Sequence, residues 1–383
     1  MTLRAHMLLP PEDMEWKLFQ GLLHQDVSVT KGPITPENAD FEILIAGYPK
    51  TKDLSSSPHL HTLLIPWSGL PEPTQKVLED FPELAVHNIH HNAQAVAETA
   101  LTLLMATAKC SLPFDRALRK GDWTSRYQNR NQAVLLSGKT ALILGYGAIG
   151  KRLAGLCQAF DMKVLAMKRS APPIAQGASF SPAGTRVNRA LISTSSSASL
   201  PSLEVGGQVP TGQARPTSFT ATTQFAFSAS TGVASPKLYG PDALHALLPE
   251  VDVLLICLPL TKETRGMIGK KELDLLPERA IVVNVARGEI VDEEALFLAL
   301  QEGKLHGAGL DVWYRYPSSL ESREKTYPSS FPFHELDNVV MSPHRADSCF
   351  ENEAIRMRFL ADMLNFVAYG KTMPNRMRRD LGY

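Results

Sequence analysis

A short apolar run at 139–144 leads into Gly145-Tyr146-Gly147-Ala148-Ile149-Gly150 and then into a helical stretch at 151–160. Nothing else in the chain restricts its fold as strongly. A strand that turns through glycine into a helix predicts a βαβ unit, and with it a parallel sheet covered by helices. Each glycine has a physical use: Gly145 permits the tight turn, Gly147 lets backbone approach a phosphate, and Gly150 lets the helix pack close to the strand. The first N–H groups of such a helix, at Ala148, Ile149 and Gly150, lack intrahelical acceptors and favour an anion. The pattern suits a dinucleotide pyrophosphate; the alternative is an ordinary βα turn with no ligand.

At 383 residues the chain has length for about two or three domains. Lysine and arginine number 39, aspartate and glutamate 39, so no net field favours nucleic acid or an anionic membrane, and the expected partner is a small molecule. Cys110, Cys157, Cys257 and Cys349 form no CxxC pair and no metal-ligand spacing with histidine. They read as reduced thiols, most simply buried apolar filler, with no metal site and a cytoplasmic location. The N-terminal apolar run is too short for a signal-peptide core, and no stretch is long enough to span a membrane.

Segments 41–46, 63–66 and 85–88 read as short buried strands, with amphipathic helices at 14–24 and 73–81 between them. They predict a small α/β unit. A long alanine- and leucine-rich helix follows at 93–109, and the glycine turn opens a second unit. That unit continues through strand 163–167, helix 242–248, strand 251–257, helix 270–276, strand 280–285, helix 292–302 and strand 307–312. The expected fold is α/β, with a doubly wound, Rossmann-type parallel sheet at 111–349 and a smaller flavodoxin-like α/β domain. The smaller domain is expected to be discontinuous, 1–110 plus 350–383, because the final helix at 352–369 is long enough to return to it. From 171 to 237 serine, threonine, alanine, proline and glycine dominate and Glu204 is the only acid. That composition predicts a disordered insertion. It is inert, regulatory or a gene-model artefact such as a retained intron.

Three polar clusters fall after expected strands: Asn284-Val285-Ala286-Arg287-Gly288-Glu289, Leu310-Asp311-Val312-Trp313 and Ser342-Pro343-His344-Arg345-Ala346. Strand ends are where a doubly wound sheet gathers its ligands. An arginine there can fork onto a carboxylate through two parallel charged hydrogen bonds. A histidine, with an unperturbed pKa of about 6.5, can exchange a hydroxyl proton near neutral pH. Singly, Arg287 reads as a surface ion pair and His344 as a loop histidine. Beside a dinucleotide turn, the two point to hydride transfer on a 2-hydroxy or 2-oxo acid.

GYGAIGKRLA, LICLPLTKETRGMIG, NVARGEIVDEEAL, GAGLDVW and SPHRA, in this order and spacing, resemble the D-isomer-specific 2-hydroxyacid dehydrogenases. The resemblance covers nearly all of the chain outside the insertion. It implies that Arg287 binds and polarises the substrate, that His344 is the acid/base, and that Asp311 faces the nicotinamide. It also implies that Val285 and Ala286 line the cofactor, with Leu258, Pro259 and Thr264 along the dinucleotide, and that the protein is a homodimer. Ser68-Gly69-Leu70 and Asn92 match positions that close over the substrate in the formate dehydrogenase branch, which makes Leu70 and Asn92 candidate substrate contacts.

Two departures from the family pattern bear on chemistry. NAD-using members carry an acid after the second strand of this unit, for the adenosine ribose; here stand Lys168 and Arg169. Two cations attract a 2′-phosphate, which predicts NADP(H) preference over NAD(H), unless the pair is merely solvated. Five residues beyond Asp311 the family places a glutamate that pairs with the histidine, and here stands Tyr316. A phenol can orient an imidazole but brings no full charge, leaving Glu321, Glu324 or Glu335 as alternative partners. The expected activity is NAD(P)-dependent interconversion of small 2-hydroxy and 2-oxo acids of the glyoxylate or hydroxypyruvate kind. The alternatives are a cofactor-binding scaffold without turnover and a formate-dehydrogenase-like enzyme.

Overall fold

Seven parallel strands end in a single row, and that row fixes where the loops can meet. In the computed structural model, which describes residues 2–8, 10–127, 132–171 and 235–379, these strands are β6 (Thr140–Leu144), β7 (Lys163–Met167), β8 (Lys237–Tyr239), β9 (Val253–Ile256), β10 (Ile281–Asn284), β11 (Gly307–Leu310) and β12 (Val339–Met341). Their order is β12-β11-β10-β9-β6-β7-β8. Register pairs Met341 with Leu310, Leu310 with Asn284, Asn284 with Ile256, Ile256 with Leu144, Leu144 with Met167 and Met167 with Tyr239. Each of these is the last residue of its strand, so the loops that follow start level with one another along one edge. The chain order reverses between β6 and β9, which opens a crevice between the loops there.

A second sheet is built by β1 (Leu3–Met7), β2 (Val27–Lys31), β3 (Ile43–Ile45), β4 (Thr62–Ile65) and β5 (Ala85–Asn88), in the flavodoxin-like order β2-β1-β3-β4-β5 and parallel throughout. The central strands β3 and β4 are short, largely apolar and fully buried because both faces are covered. On one face Ala5, Met7, Ile43, Ile45 and Leu64 pack with Trp16 and Phe19 of helix Asp13–Leu22 and with Met357, Leu360 and Leu364 of helix Asn352–Ala368. The last helix thus returns to this sheet. On the other face Leu44, Leu63 and Ile65 pack with Leu54 and Leu78. Each such buried aliphatic side chain contributes about 1.5–3 kcal/mol.

Helix Ala93–Ala108 lies on the seven-stranded sheet. Its Val96, Ala97, Ala100, Leu103 and Leu104 share a core with Ala141, Ile143, Leu255 and Val283, and with Leu153 and Cys157 of helix Ala148–Ala159. By packing, the chain leaves the smaller sheet at 89–92, ahead of this helix. All described residues fall within one compact unit.

The fold differs from the sequence reading in specific places. β1, β2 and β8 carry no clear period and are not expected as strands, while the strand expected ahead of Ser342, given no bounds from sequence, is β12. β8 begins at Lys237, the last residue assigned to the insertion, whose residues 172–234 lie outside those described. The helix expected at 242–248 is a broken one: two 3₁₀ turns, Pro241–Ala243 and Leu248–Glu250, flank a single α-turn, Leu244–Leu247. Pro241 and Pro249 lack the N–H that a continuous ladder needs.

Candidate active site

The glycine turn leaves β6 at the reversal point. Gly145 has φ +102°, and a Cβ there would stand 2.7 Å from the carbonyl oxygen of Cys257, directly after β9. A side chain at Gly150 would meet the Gly145 carbonyl oxygen at 2.0 Å, so helix and turn touch only because both residues are glycine. Gly147 is different. A Cβ on it would meet nothing within 4 Å. Gly147 is the N-cap of helix Ala148–Ala159 and no side chain caps that end, so the first-turn N–H groups of Ala148, Ile149 and Gly150 face an open cradle. This is the form of a diphosphate seat, and a nicotinamide dinucleotide fits it.

The wall across the crevice comes from the loop after β9. Thr264, buried to 6% exposure, donates from Oγ1 to the Pro259 carbonyl at 2.7 Å and accepts from the Thr261 N–H at 2.8 Å. These bonds shape the turn that begins at Leu258. After β7, Lys168 and Arg169 are exposed, and the Arg169 guanidinium reaches to 3.8 Å from Glu263 on that same loop. Cys157 and Cys257 lie beneath the turn; burial pushes both thiols up to about 12, which leaves them protonated. All four cysteines are unpaired.

Arg287 follows β10. Asn284, 2% exposed, accepts from the Ala286 N–H at 3.0 Å and donates to the Arg287 carbonyl at 2.9 Å. This loop buries Val285 and Ala286 and leaves the Arg287 side chain exposed. Its Nη1 donates to the Ala286 carbonyl at 2.6 Å. Its Nη2 would lie 3.7 Å from a Cβ on Gly69, so the Ser68-Gly69-Leu70 loop of the smaller sheet comes over the guanidinium. Leu70 itself is half-buried and packs against the core of its own sheet. Asn92 is the N-cap of helix Ala93–Ala108, and its Oδ1 is buried with no partner.

Asp311 holds the histidine loop. Its carboxylate is fully buried and accepts from the Arg345 N–H at 2.9 Å, the Ala346 N–H at 2.9 Å and the Ser342 hydroxyl. A buried carboxylate needs such bonds, and here they come from both sides of His344. Thr99 adds a bond from Oγ1 to the Ala346 carbonyl at 3.1 Å, and Trp313 Nε1 donates to the Ser342 carbonyl at 2.8 Å. The clamp keeps His344 at φ +56°, a left-handed conformation that costs a non-glycine residue about 1–3 kcal/mol. The family resemblance implies that Asp311 faces the nicotinamide; its loop-holding bonds are not legible in the sequence, because its partners lie more than thirty positions away.

The Tyr316 ring stands beside His344, with centroids 5.5 Å apart, and its hydroxyl accepts from the Trp313 N–H at 3.1 Å. Burial pushes the Tyr316 phenol up, so it stays neutral. Burial, and then the charge of Arg287, hold the His344 imidazole below the usual histidine value; Asp311 and Asp347 oppose them without reversing the shift. Those two aspartates, rather than Glu321, Glu324 or Glu335, are the carboxylates whose charge reaches the ring. Glu335 lies instead beside His334, at 3.9 Å.

A nucleotide cradle, a guanidinium and an imidazole at the ends of one parallel sheet define a dinucleotide-dependent oxidoreductase of doubly wound fold. The model of the D-isomer specific 2-hydroxyacid dehydrogenase NAD binding domain matches residues 101–195 and 223–346, over half of the chain, and the chain belongs to that family. A glyoxylate reductase of Thermococcus litoralis is 28% identical over 291 residues, 75% of this chain and 67% of that protein. A D-3-phosphoglycerate dehydrogenase of Archaeoglobus fulgidus is 30% identical over 275 residues, 72% of this chain and 39% of that protein. The chain spans about two thirds or less of the length of these relatives. In fold it is similar to an NADPH-dependent glyoxylate/hydroxypyruvate reductase from Sinorhizobium meliloti, solved in complex with NADP and sulfate, with a TM-score of 0.65, 18% identity and 100% of both chains covered.

Proposed function

We propose that this chain reduces small 2-oxo acids of the glyoxylate and hydroxypyruvate kind to 2-hydroxy acids, with NADP(H) preferred over NAD(H). The observation that carries this is the common row of strand ends, which sets the Gly145 turn, Arg287 and His344 along one edge of a sheet. Arg287 forks onto the substrate carboxylate and turns the 2-oxo group toward His344. His344 gives its proton to the 2-oxo oxygen as that oxygen becomes a hydroxyl, and takes it back in the reverse direction. A nicotinamide held in the crevice would supply the hydride to the substrate's second carbon, or accept it in the reverse direction. Gly145, Gly147, Ala148, Ile149 and Gly150 seat the diphosphate, with Leu258, Pro259, Thr264, Val285 and Ala286 along the crevice. Leu70 and Asn92 serve on the substrate side.

The same proposal takes the two sheets as a substrate domain and a cofactor domain, in a cytoplasmic homodimer. Exposed Phe114, Leu118, Trp123 and Tyr127 on helices Ser111–Leu118 and Thr124–Tyr127 and the turn between them give a second copy an apolar surface to cover. Consumption of NADPH in the presence of glyoxylate or hydroxypyruvate tests the reaction itself.

Cofactor choice rests on Lys168 and Arg169. A 2′-phosphate competes with Glu263 for the Arg169 guanidinium and, carrying more charge, takes it. Arg169→Ala is expected to lower kcat/KM for NADPH by about 10- to 100-fold, the worth of a charge-assisted hydrogen bond, with the NADH value little changed. A wild-type preference for NADH that survives the substitution contradicts the assignment.

Burial and the Arg287 charge, with a neutral phenol rather than a carboxylate at Tyr316, set the pH range. Reduction requires protonated His344, and the imidazole sits below its usual value. The rate of 2-oxo acid reduction is therefore expected to decline as pH rises through a value below about 6.5. Tyr316→Glu places a carboxylate beside the ring, favours the imidazolium and moves that limb to higher pH. A pH–rate profile with the same alkaline limb in both proteins counts against this account. A second reading, a scaffold that binds the cofactor without turnover, is favoured by Tyr316 standing in place of the glutamate. It predicts NADPH binding with no consumption. A formate-dehydrogenase-like activity, suggested by Asn92 and by the missing glutamate at Tyr316, predicts formate-dependent formation of NADPH or NADH.

A further inference from the structure

The chain beyond helix Asn352–Ala368 runs back along the outer edge of β5. His87 and Arg376 form an antiparallel bridge there, and the Met377 N–H donates to the Val86 carbonyl at 2.8 Å. The Asn88 N–H donates to the Asn375 carbonyl at 3.3 Å, Asn375 Nδ2 returns a bond to the Asn88 carbonyl at 3.2 Å, and His87 Nδ1 donates to the Pro374 carbonyl at 2.7 Å. Arg379 closes the far end, donating to the Phe81 carbonyl at 2.8 Å, the Pro82 carbonyl at 3.2 Å and the Leu78 carbonyl. β5 is the terminal strand of its sheet, and these bonds occupy an edge that would otherwise be open.

Asn88 also reaches the loop that lies over Arg287. Its backbone is held by Asn375, while its side chain, in a residue only 5% exposed, donates from Nδ2 to the Ser68 carbonyl at 2.7 Å. Ser68 adjoins Gly69, whose Cβ position lies 3.7 Å from Arg287 Nη2. On the other side of Gly69 the loop is held at Leu70, which packs against the core and whose carbonyl accepts from Gln75 Nε2 at 3.4 Å. The loop above the guanidinium thus has two anchors, and the one at Ser68 depends on Asn88.

We propose that residues 374–379 form a positioning strap. Through Asn375 and Asn88 it holds Ser68-Gly69-Leu70 over Arg287 and thereby sets the affinity for the 2-oxo acid. The effect on affinity rests on the reading of Arg287 given above, whereas the mechanical coupling does not. Nothing in this chain of contacts reaches the Gly145 cradle, so cofactor affinity is independent of it. Asn88 and Asn375 are positioning residues, with no role at the reacting atoms.

The test compares wild type, Asn88→Ala and Asn375→Gly, the second of which keeps the positive φ of +56° while removing the side-chain bond. Hydrogen exchange of the amides at 67–70 is read by mass spectrometry, together with KM for glyoxylate, kcat and the Kd for NADPH. Both variants are expected to exchange faster at 67–70 and to show a KM raised roughly three- to tenfold, the loss of one buried hydrogen bond, with kcat and the Kd for NADPH unchanged. Unchanged exchange in the variants overturns the strap. Faster exchange with an unchanged KM overturns its role in affinity. A wild-type protein that turns over no 2-oxo acid refutes the reading of the site instead, and exchange then still decides whether the strap holds the loop. Should Asn88→Ala fail to fold, Asn375→Gly carries the comparison.

Discussion

Replacing His344 with alanine is expected to lower kcat for 2-oxo acid reduction by about 10²- to 10⁴-fold, the usual worth of a positioned general acid. The Kd for NADPH should stay where it is. The separation follows from the way the loop is built: Asp311 grips it through the N–H groups of Arg345 and Ala346 and the hydroxyl of Ser342. None of those bonds uses the imidazole. The substitution therefore removes the proposed proton donor and leaves the backbone in place. Stopped-flow measurement of the chemical step, with fluorescence titration of NADPH, checks both halves, and parallel losses in kcat and cofactor affinity would mean the loop had collapsed.

Arg287→Ala should lower kcat/KM by about 10²- to 10³-fold, the cost of truncating a hydrogen-bonded charge partner. Arg287→Lys should recover little of it, because an ammonium cannot fork onto a carboxylate. A second consequence is electrostatic. The Arg287 charge is one of the two causes that hold the His344 imidazole low. Its removal should therefore move the residual activity's alkaline limb to higher pH, in the same direction as Tyr316→Glu but with a large loss of substrate affinity. A variant with altered KM and an unmoved pH profile would show that guanidinium and imidazole do not share one pocket.

Much of this site was legible because its signals are local. Gly145 and Gly150 stand five apart at the end of an apolar run, and the structure puts a positive φ and a 2.0 Å Cβ contact at those positions. Arg287 and His344 were legible for the same reason, each following a strand. What escaped depends on distant partners. β1 contains His6, which breaks the apolar pattern; the interior accommodates it because Thr30 Oγ1 and the Ile34 carbonyl, at 2.8 and 3.2 Å, satisfy both ring nitrogens. β8 pairs with β7 across a long insertion, and a three-residue strand has no period to read. The work of Asp311, Asn88 and Asn375 is done by hydrogen bonds across 34, 20 and 287 positions of sequence. Residue type alone does not announce such bonds. Tyr316 was visible as a departure from the family pattern, yet the carboxylates that reach His344 in its place, Asp311 and Asp347, emerge only from the folded loops.

The proposed reaction requires Arg287 and His344 to act on one substrate beside one bound nicotinamide. The most direct measurement is NADPH oxidation, followed by absorbance, over a panel of 2-oxo acids for wild type, Arg287→Ala and His344→Ala. Turnover of the smallest acids by the wild type, and its near disappearance in both variants, are the expected results. Tight NADPH binding with no consumption across the panel, or turnover that survives both substitutions, would contradict the proposed reaction.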